Sequence, residues 1–423
     1  MPHTAPSVDG SDPSRDYRNV VFVAPFFLPT TNAFIEAAAS LPRVRLALVS
    51  QQPVEQLPAA LRHRLVAHYR VDQALDPQQL TSAVRYLTKV LGGVDRLLGT
   101  LEQLQVPLGR VRDTLGIDGM SAETARGFRD KARMKEIFRA AGVPCARHRL
   151  VTDVSAALAF AAEVGYPLIV KPPAGAGAKA TFRVQDDDAL RRSFEVLRPG
   201  LGRELLLEEW VRGEESSFET LCVQGKPLWH SVCHYRPTPL EVLETPWIQW
   251  CVLLPRELDD PAWDDFRPVA FQALDALGMG TGMTHMEWFR RGDGSVAVSE
   301  VGARPPGAQI TSLLSWAHDA PFKSTWARLA IFDQLWLPPR RYATGAAFLR
   351  GQGRGSRVRA IRGLDQAQRE LGSLVVEAHL PKEGQTPTGT YEGEGFVILR
   401  HPETEVVEKA LHRLISLVQV ELG

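Results

Sequence analysis

The chain has 423 residues, enough for two or three domains each with its own core. It carries 49 lysines and arginines against 49 aspartates and glutamates, so no net charge argues for nucleic acid or an anionic membrane as partner. Cys145, Cys222, Cys233 and Cys251 are dispersed without CxxC spacing, which argues against a zinc site or a disulfide framework and fits a reducing cytoplasm. Residues 1–17 lack the apolar core of a signal peptide and read as a disordered tail, and no apolar run reaches the length of a membrane span.

From Asn19 the order is strand NVVFVAP, helix TTNAFIEAAASL, strand VRLALVS, a βα unit of a parallel sheet. Weaker elements continue to Gly119, so residues 18–119 are expected to form an open parallel α/β domain. No GxGxxG follows the first strand, which leaves this domain as scaffold or substrate shelf. The stretch SAETARGFRDKARMKEIFRAAGVP reads as one helix, with Ser121 as N-cap and Gly142 and Pro144 ending it. Lys131 and Lys135, four apart, share one face, which taken alone is a solvated basic face.

PLIVK is a buried-looking strand ending in Lys171, and the loop after it contains Gly175 and Gly177. Small residues there let backbone N–H groups approach phosphate oxygens while Lys171 supplies charge. It is not a Walker loop, which needs GxxxxGK[ST] opening a helix. LLLEEWVRGEESSFETLCVQGKPLWHSVCHYR alternates like antiparallel strands with QGK as a turn. Its Glu208, Glu209, Glu214 and Glu215 read most simply as charges that guard a sheet edge. WIQWCVLLP is a further strand and PAWDDFRPVAFQALDALG a helix.

GMTHMEWFRRGDGSVAVSEVGARPPG then reads as a β-hairpin turning at Asp293–Gly294. That turn sets Gly292 opposite Ser295 and, counting outwards, Glu287 opposite Glu300. His285, Glu287, Glu300, Gly302 and Arg304 then share one face, and Met286, Trp288 and Val301 the other. Opposed carboxylates with Cβ atoms about 5 Å apart repel, so a cation is expected between them. A hard divalent ion takes such oxygen ligands together with substrate phosphates, and Arg304 offers a fork for phosphate or carboxylate. Downstream, two helices precede a mixed region from Tyr342 that ends in two helices, RGLDQAQREL and ETEVVEKALHRLISLVQVEL, and reads as a cap.

Together these stretches resemble the ATP-grasp superfamily, in motif detail from about Gly119 to Gly307 and in outline to the C-terminus. The resemblance implies a small lid subdomain over 120–205, an antiparallel-sheet catalytic subdomain over 206–340 and a C-terminal α/β cap over 341–423. It implies that Lys131 and Lys171 bind phosphates, that Glu208 and Val211 mark the adenine hinge and that Glu215 binds ribose. Glu287 and Glu300 resemble the metal pair for Mg²⁺, or Mn²⁺ in its place, and Arg304 the arginine beside the transferring phosphoryl group. His285 reads either as a substrate contact or as a packing histidine, and Gly307 lies in PPGAQITS, which would put a helix N-terminus beside the substrate. One position departs from the pattern: the usual ExNxR is here EVGAR, with Gly302 where an Asn often adds a metal contact.

THME and EVGARPPG look most like amino-acid ligases that make dipeptides. The implied reaction joins a small-molecule carboxylate to an amine through an acyl phosphate, with ATP consumed to ADP and phosphate, in a cytoplasmic protein that family precedent makes a homodimer. The rivals are a carboxylase or formyl transferase of the same superfamily and a nucleotide-binding module without turnover.

Overall fold

The computed structural model describes residues 17–174, 180–200, 203–245 and 247–423. The N-terminal tail up to residue 16, and the loop positions Gly175 and Gly177, lie outside them. Among the described residues no helix is long and apolar enough to cross a membrane.

Strands β1 (Arg18–Val23), β2 (Val44–Ser50), β3 (Ala67–Arg70) and β4 (Arg96–Leu98) form a parallel sheet in the order β3-β2-β1-β4. Val21, Val23, Ala47 and Val49 face one core, while Val20, Phe22, Leu46 and Leu48 face another. Burial on both faces is why these strands read as continuous apolar runs. The second core is shared with the rest of the chain: Trp326 meets Phe34 edge-on at 5.0 Å, and Arg96 pairs with Asp333 at 2.7 Å.

Strands β5 (His148–Val151), β6 (Leu168–Lys171), β7 (Phe182–Val184) and β8 (Leu205–Glu209) form a small antiparallel sheet in the order β5-β8-β6-β7. The largest sheet has the order β13-β12-β9-β10-β11-β14-β18-β17. Its members are β9 (Gly213–Val223), β10 (Lys226–Arg236), β11 (Trp250–Leu254), β12 (Gly282–Arg291), β13 (Val296–Gly302) and β14 (Ala343–Leu349). After β15 (Gly351–Gln352) and β16 (Val358–Arg362), β17 (Val375–His379) and β18 (Gly395–His401) complete it. The segment from residue 341 therefore extends this sheet, besides packing over it. Because β9 lies between β12 and β10, Glu214 and Glu215 are not edge charges, and Glu215 is buried.

Two helices differ from the sequence reading. ETEVVEKALHRLISLVQVEL is helical only over Thr404–Leu417, and β19 (Gln419–Leu422) pairs with β15 and β16. Val418 and Val420 are buried while Gln419 points out, the alternation of a strand. The stretch from Ser121 is two helices, Ala122–Arg129 and Lys131–Ala140, broken at Asp130. Asp130 has extended backbone (φ −94°, ψ 108°), and its carboxylate accepts from the N–H groups of Ala132 and Arg133 at 3.0 and 3.2 Å. A short acidic side chain competes well for free N–H groups at a helix start, and here it re-aims the second helix so that Lys131 opens it. Asp130→Ala should lower stability by about 1 kcal/mol, read as a lower urea midpoint at unchanged m value. An unchanged midpoint would contradict the cap.

Candidate active site

Glu287 stands directly opposite Glu300, as the turn argument expected, but the chain reaches that register by another route. The loop holds three residues: the Arg291 N–H donates to Ser295 O at 2.8 Å and the Gly294 N–H to Arg291 O at 2.9 Å. Gly294 has φ +83°, the left-handed position that such a loop requires. Near the turn the pairing is therefore one residue away from the simple count, with Trp288 opposite Val298. A β-bulge between Glu287 and Trp288 takes up Ser299 and restores the register at the acids. The greasy face is as expected: Met286, Trp288, Val298 and Val301 are buried, and Trp288 stacks on Phe266 at 3.8 Å.

The polar face opens on a cleft. Lys131, Lys171, Glu208, Val211, Glu215, His285, Glu287, Glu300, Arg304 and Gly307 all line it. Lys131 Nζ lies 2.7 Å from Glu300 Oε2. Burial alone would raise the Glu300 pKa, but Lys131 and Lys171 outweigh it and hold the carboxyl down at about 2. Glu287 goes the other way, raised by burial and by the charge of Glu300. Glu215 is raised further, by burial and then by Glu287 and Glu300. Three carboxylates thus share one region, and Lys131 pairs with one of them, Glu300. Among the described residues no group of three or more His, Cys, Asp or Glu side chains is arranged around a metal position. An all-oxygen pair that leaves other positions to phosphate and water suits Mg²⁺ better than a nitrogen- or thiolate-seeking metal. Gly302 adds no donor, although a Cβ there would meet nothing closer than 3.7 Å.

The solvated basic face expected for Lys131 and Lys135 is not found, because both side chains are buried, Lys135 to 1% exposure. Lys135 Nζ donates to the carbonyl of the bulge residue Ser299 at 2.9 Å and lies 3.4 Å from Glu208 Oε1. The other Glu208 oxygen meets Lys171 Nζ at 2.8 Å. Burial would raise Glu208, but Lys135 and Lys171 keep it below the ordinary carboxyl range. Arg304 donates from Nε and Nη2 to Glu102 Oε2 at 3.1 and 2.9 Å, and Arg129 holds the other Glu102 oxygen at 2.7 Å. His285 Nδ1 sits 2.9 Å from Glu219, which is fully buried and accepts from Ser217 Oγ at 2.6 Å. A Cβ at Gly307 would lie 2.9 Å from the Tyr391 hydroxyl, which would have to shift to admit it.

Sequence reasoning missed Glu219, Glu102 and Tyr391, and it read Lys135 as solvated. The i,i+4 spacing from Lys131 was a signal for Lys135, and even spacing along a strand from Glu215 was one for Glu219. Nothing local marks Glu102, whose partner Arg304 is 202 residues away.

Residues 129–232 match the family model described as phosphoribosylglycinamide synthetase, ATP-grasp (A) domain. The chain carries an ATP-grasp domain. A curated relative, the L-arginine-specific L-amino acid ligase of Bacillus subtilis, is 27% identical over 252 residues, covering 58% of this chain and 60% of the relative. Among solved structures, the L-amino acid ligase from Bacillus licheniformis superposes with TM-score 0.75 at 18% identity, covering 97% of this chain and 100% of that one. N5-carboxyaminoimidazole ribonucleotide synthetase from Thermotoga maritima gives 0.69 at 17% identity, covering 96% and 100%. These likenesses give the chain the fold of those two enzymes, with the parallel sheet leading and the small and large antiparallel sheets lining the cleft.

The Lys131–Glu300 pair has a pH signature. A carboxyl depressed from 4.5 to about 2 stabilises the fold above the unfolded value, and that contribution is lost as pH falls through this window. Lys131→Met should flatten the fall in unfolding free energy between those pH values. Identical slopes for mutant and wild type would remove the pairing.

Proposed function

We propose that the protein is an ADP-forming ligase that uses ATP to activate a substrate carboxylate as an acyl phosphate and joins it to an amine. Both substrates are amino acids, and the product is a dipeptide-like amide. The observation that carries this reading is the meeting, in one ATP-grasp cleft, of two opposed carboxylates, two lysines and a guanidinium. Phosphoryl transfer asks a protein mainly to position reactants and neutralise charge, and this set does both without a covalent nucleophile. A relative named as an L-amino acid ligase and the fold of a second one support the amino-acid assignment.

In this reading Lys131 and Lys171 hold phosphate oxygens, which replace the carboxylates now paired with them. Backbone at Glu208 to Val211 takes adenine, and Glu215 takes ribose. Glu287 and Glu300 would hold Mg²⁺ or Mn²⁺, which offsets phosphate charge. Arg304 neutralises the transferring group, with Glu102 fixing its plane. His285, oriented by Glu219, and Gly307 border the acyl end. The substrate carboxylate oxygen attacks the γ-phosphorus with ADP as leaving group; the amine then attacks the acyl carbon and phosphate departs. Activation is needed because a carboxylate oxygen is otherwise a poor leaving group.

The likeness to a carboxyaminoimidazole synthetase fold makes a bicarbonate-using reaction the second reading. ADP and phosphate release from Mg·ATP should require an amino-acid pair and stay at background with bicarbonate or formate alone; the reverse pattern would move the assignment. Glu300→Ala should lower turnover at least about a hundredfold while circular dichroism stays native, since a metal ligand is lost. Normal turnover would refute the metal role. Lys171→Met should raise the calorimetric Kd for ATP about tenfold, the scale of one charge-assisted hydrogen bond, and an unchanged Kd would refute the phosphate role.

A further inference from the structure

The face of the large sheet that carries the acids changes character across its width. Cross-strand partners share a face, so Glu287 on β12, Ser217 on β9 and Cys233 on β10 lie in one row. Tyr235, two residues on from Cys233, lies on the same face, opposite Val252, and Trp250 is two residues from that partner. The proposed hinge lies toward the other side, where Glu209 pairs with Arg291 of β12 at 3.1 Å. From the acids, the row across β9 therefore leads to β10 and β11.

There an aromatic cluster lines the cleft: Trp250 has Tyr235 and Tyr391 at ring-centroid distances of 6.2 and 5.8 Å, and Leu240, Leu243 and Ile310 line the same cleft. The indole nitrogen of Trp250 is already used, donating to Tyr391 O at 2.7 Å. The ring faces of these residues offer carbon surface to a ligand. Leu240 and Leu243 are held in place from outside. Their helix, Pro239–Glu244, is tied at its C-terminal end by Arg350, which donates to Val242 O at 2.6 Å and Thr245 O at 3.0 Å. Glu244 pairs with Arg183 of β7 at 2.8 Å, which links the helix to the small sheet over the cleft.

We propose that this part of the cleft is a side-chain chamber and that one of the two amino-acid substrates carries a bulky apolar side chain, aliphatic or aromatic. The inference rests on the ligase reading above. A charged side chain placed against these rings would lose water, whereas an apolar one removes carbon surface from water on both sides.

The test is ADP release by the full-length protein with Mg·ATP and every pairing of Leu, Met, Phe, Gly, Asp, Glu, Lys and Arg, with Leu243→Asp run in parallel. At one of the two substrate positions, kcat/KM for Leu, Met or Phe should exceed that for Gly and for each charged residue by at least about tenfold. Leu243→Asp should erase that margin and leave the KM for ATP unchanged. Release that is strongest with a charged residue, or equal with Gly, overturns the chamber and leaves the ligase standing, as does a Leu243→Asp protein with normal ATP affinity and an unaltered preference. Release with no amino-acid pair, in a protein that binds Mg·ATP, overturns the ligase reading and the chamber with it.

Discussion

The site depends on a repulsion. Glu287 and Glu300 face one another across two hydrogen-bonded strands, an arrangement that costs free energy in an ordinary sheet. What makes it tolerable is the cationic frame: Lys131 on Glu300, with Lys171 and Lys135 on the neighbouring Glu208. The frame answers the charge of Glu300, while Glu287 and Glu215 are raised by burial and by their acidic neighbours. In the proposed reaction a nucleotide with its metal would bring positive charge to the acids and phosphate oxygens to the lysines.

This frame is assembled from far-separated pieces of chain. The lysines come from a helix start and a strand end, the acids from a hairpin, and the guanidinium from the segment after it. Arg304 is oriented by Glu102, which follows β4 of the leading parallel sheet. The leading domain is thus more than a scaffold, since it fixes a charged group in the cleft, and the core shared around Phe34 and Trp326 keeps that contact in register.

Much of this was legible in the sequence because it is written locally. The βα alternation, the strand ending in Lys171, the hairpin and its two faces all follow from period and turn chemistry. Local reasoning failed where a longer-range term decided the outcome. Asp130 split a helix that looked continuous, because a capping carboxylate outweighs propensity at one residue. Lys135 looked solvated because nothing nearby in sequence reveals Glu208 or the Ser299 carbonyl. The last strand looked helical because its apolar residues continue the helix pattern for one more turn, while Val418 and Val420 find a sheet to enter.

The bulge at Ser299 has a consequence for how the hairpin can vary. Two one-residue offsets, one in the loop and one in β13, cancel at the acids. Lys135 grips the second offset from beneath, so the alignment of Glu287 with Glu300 is anchored at the bulge and not at the tip. The tip is therefore free to lengthen, shorten or carry an inserted segment without moving the chemistry. Residue counting from the turn, by contrast, is the wrong ruler for finding these acids in any chain whose loop differs by one.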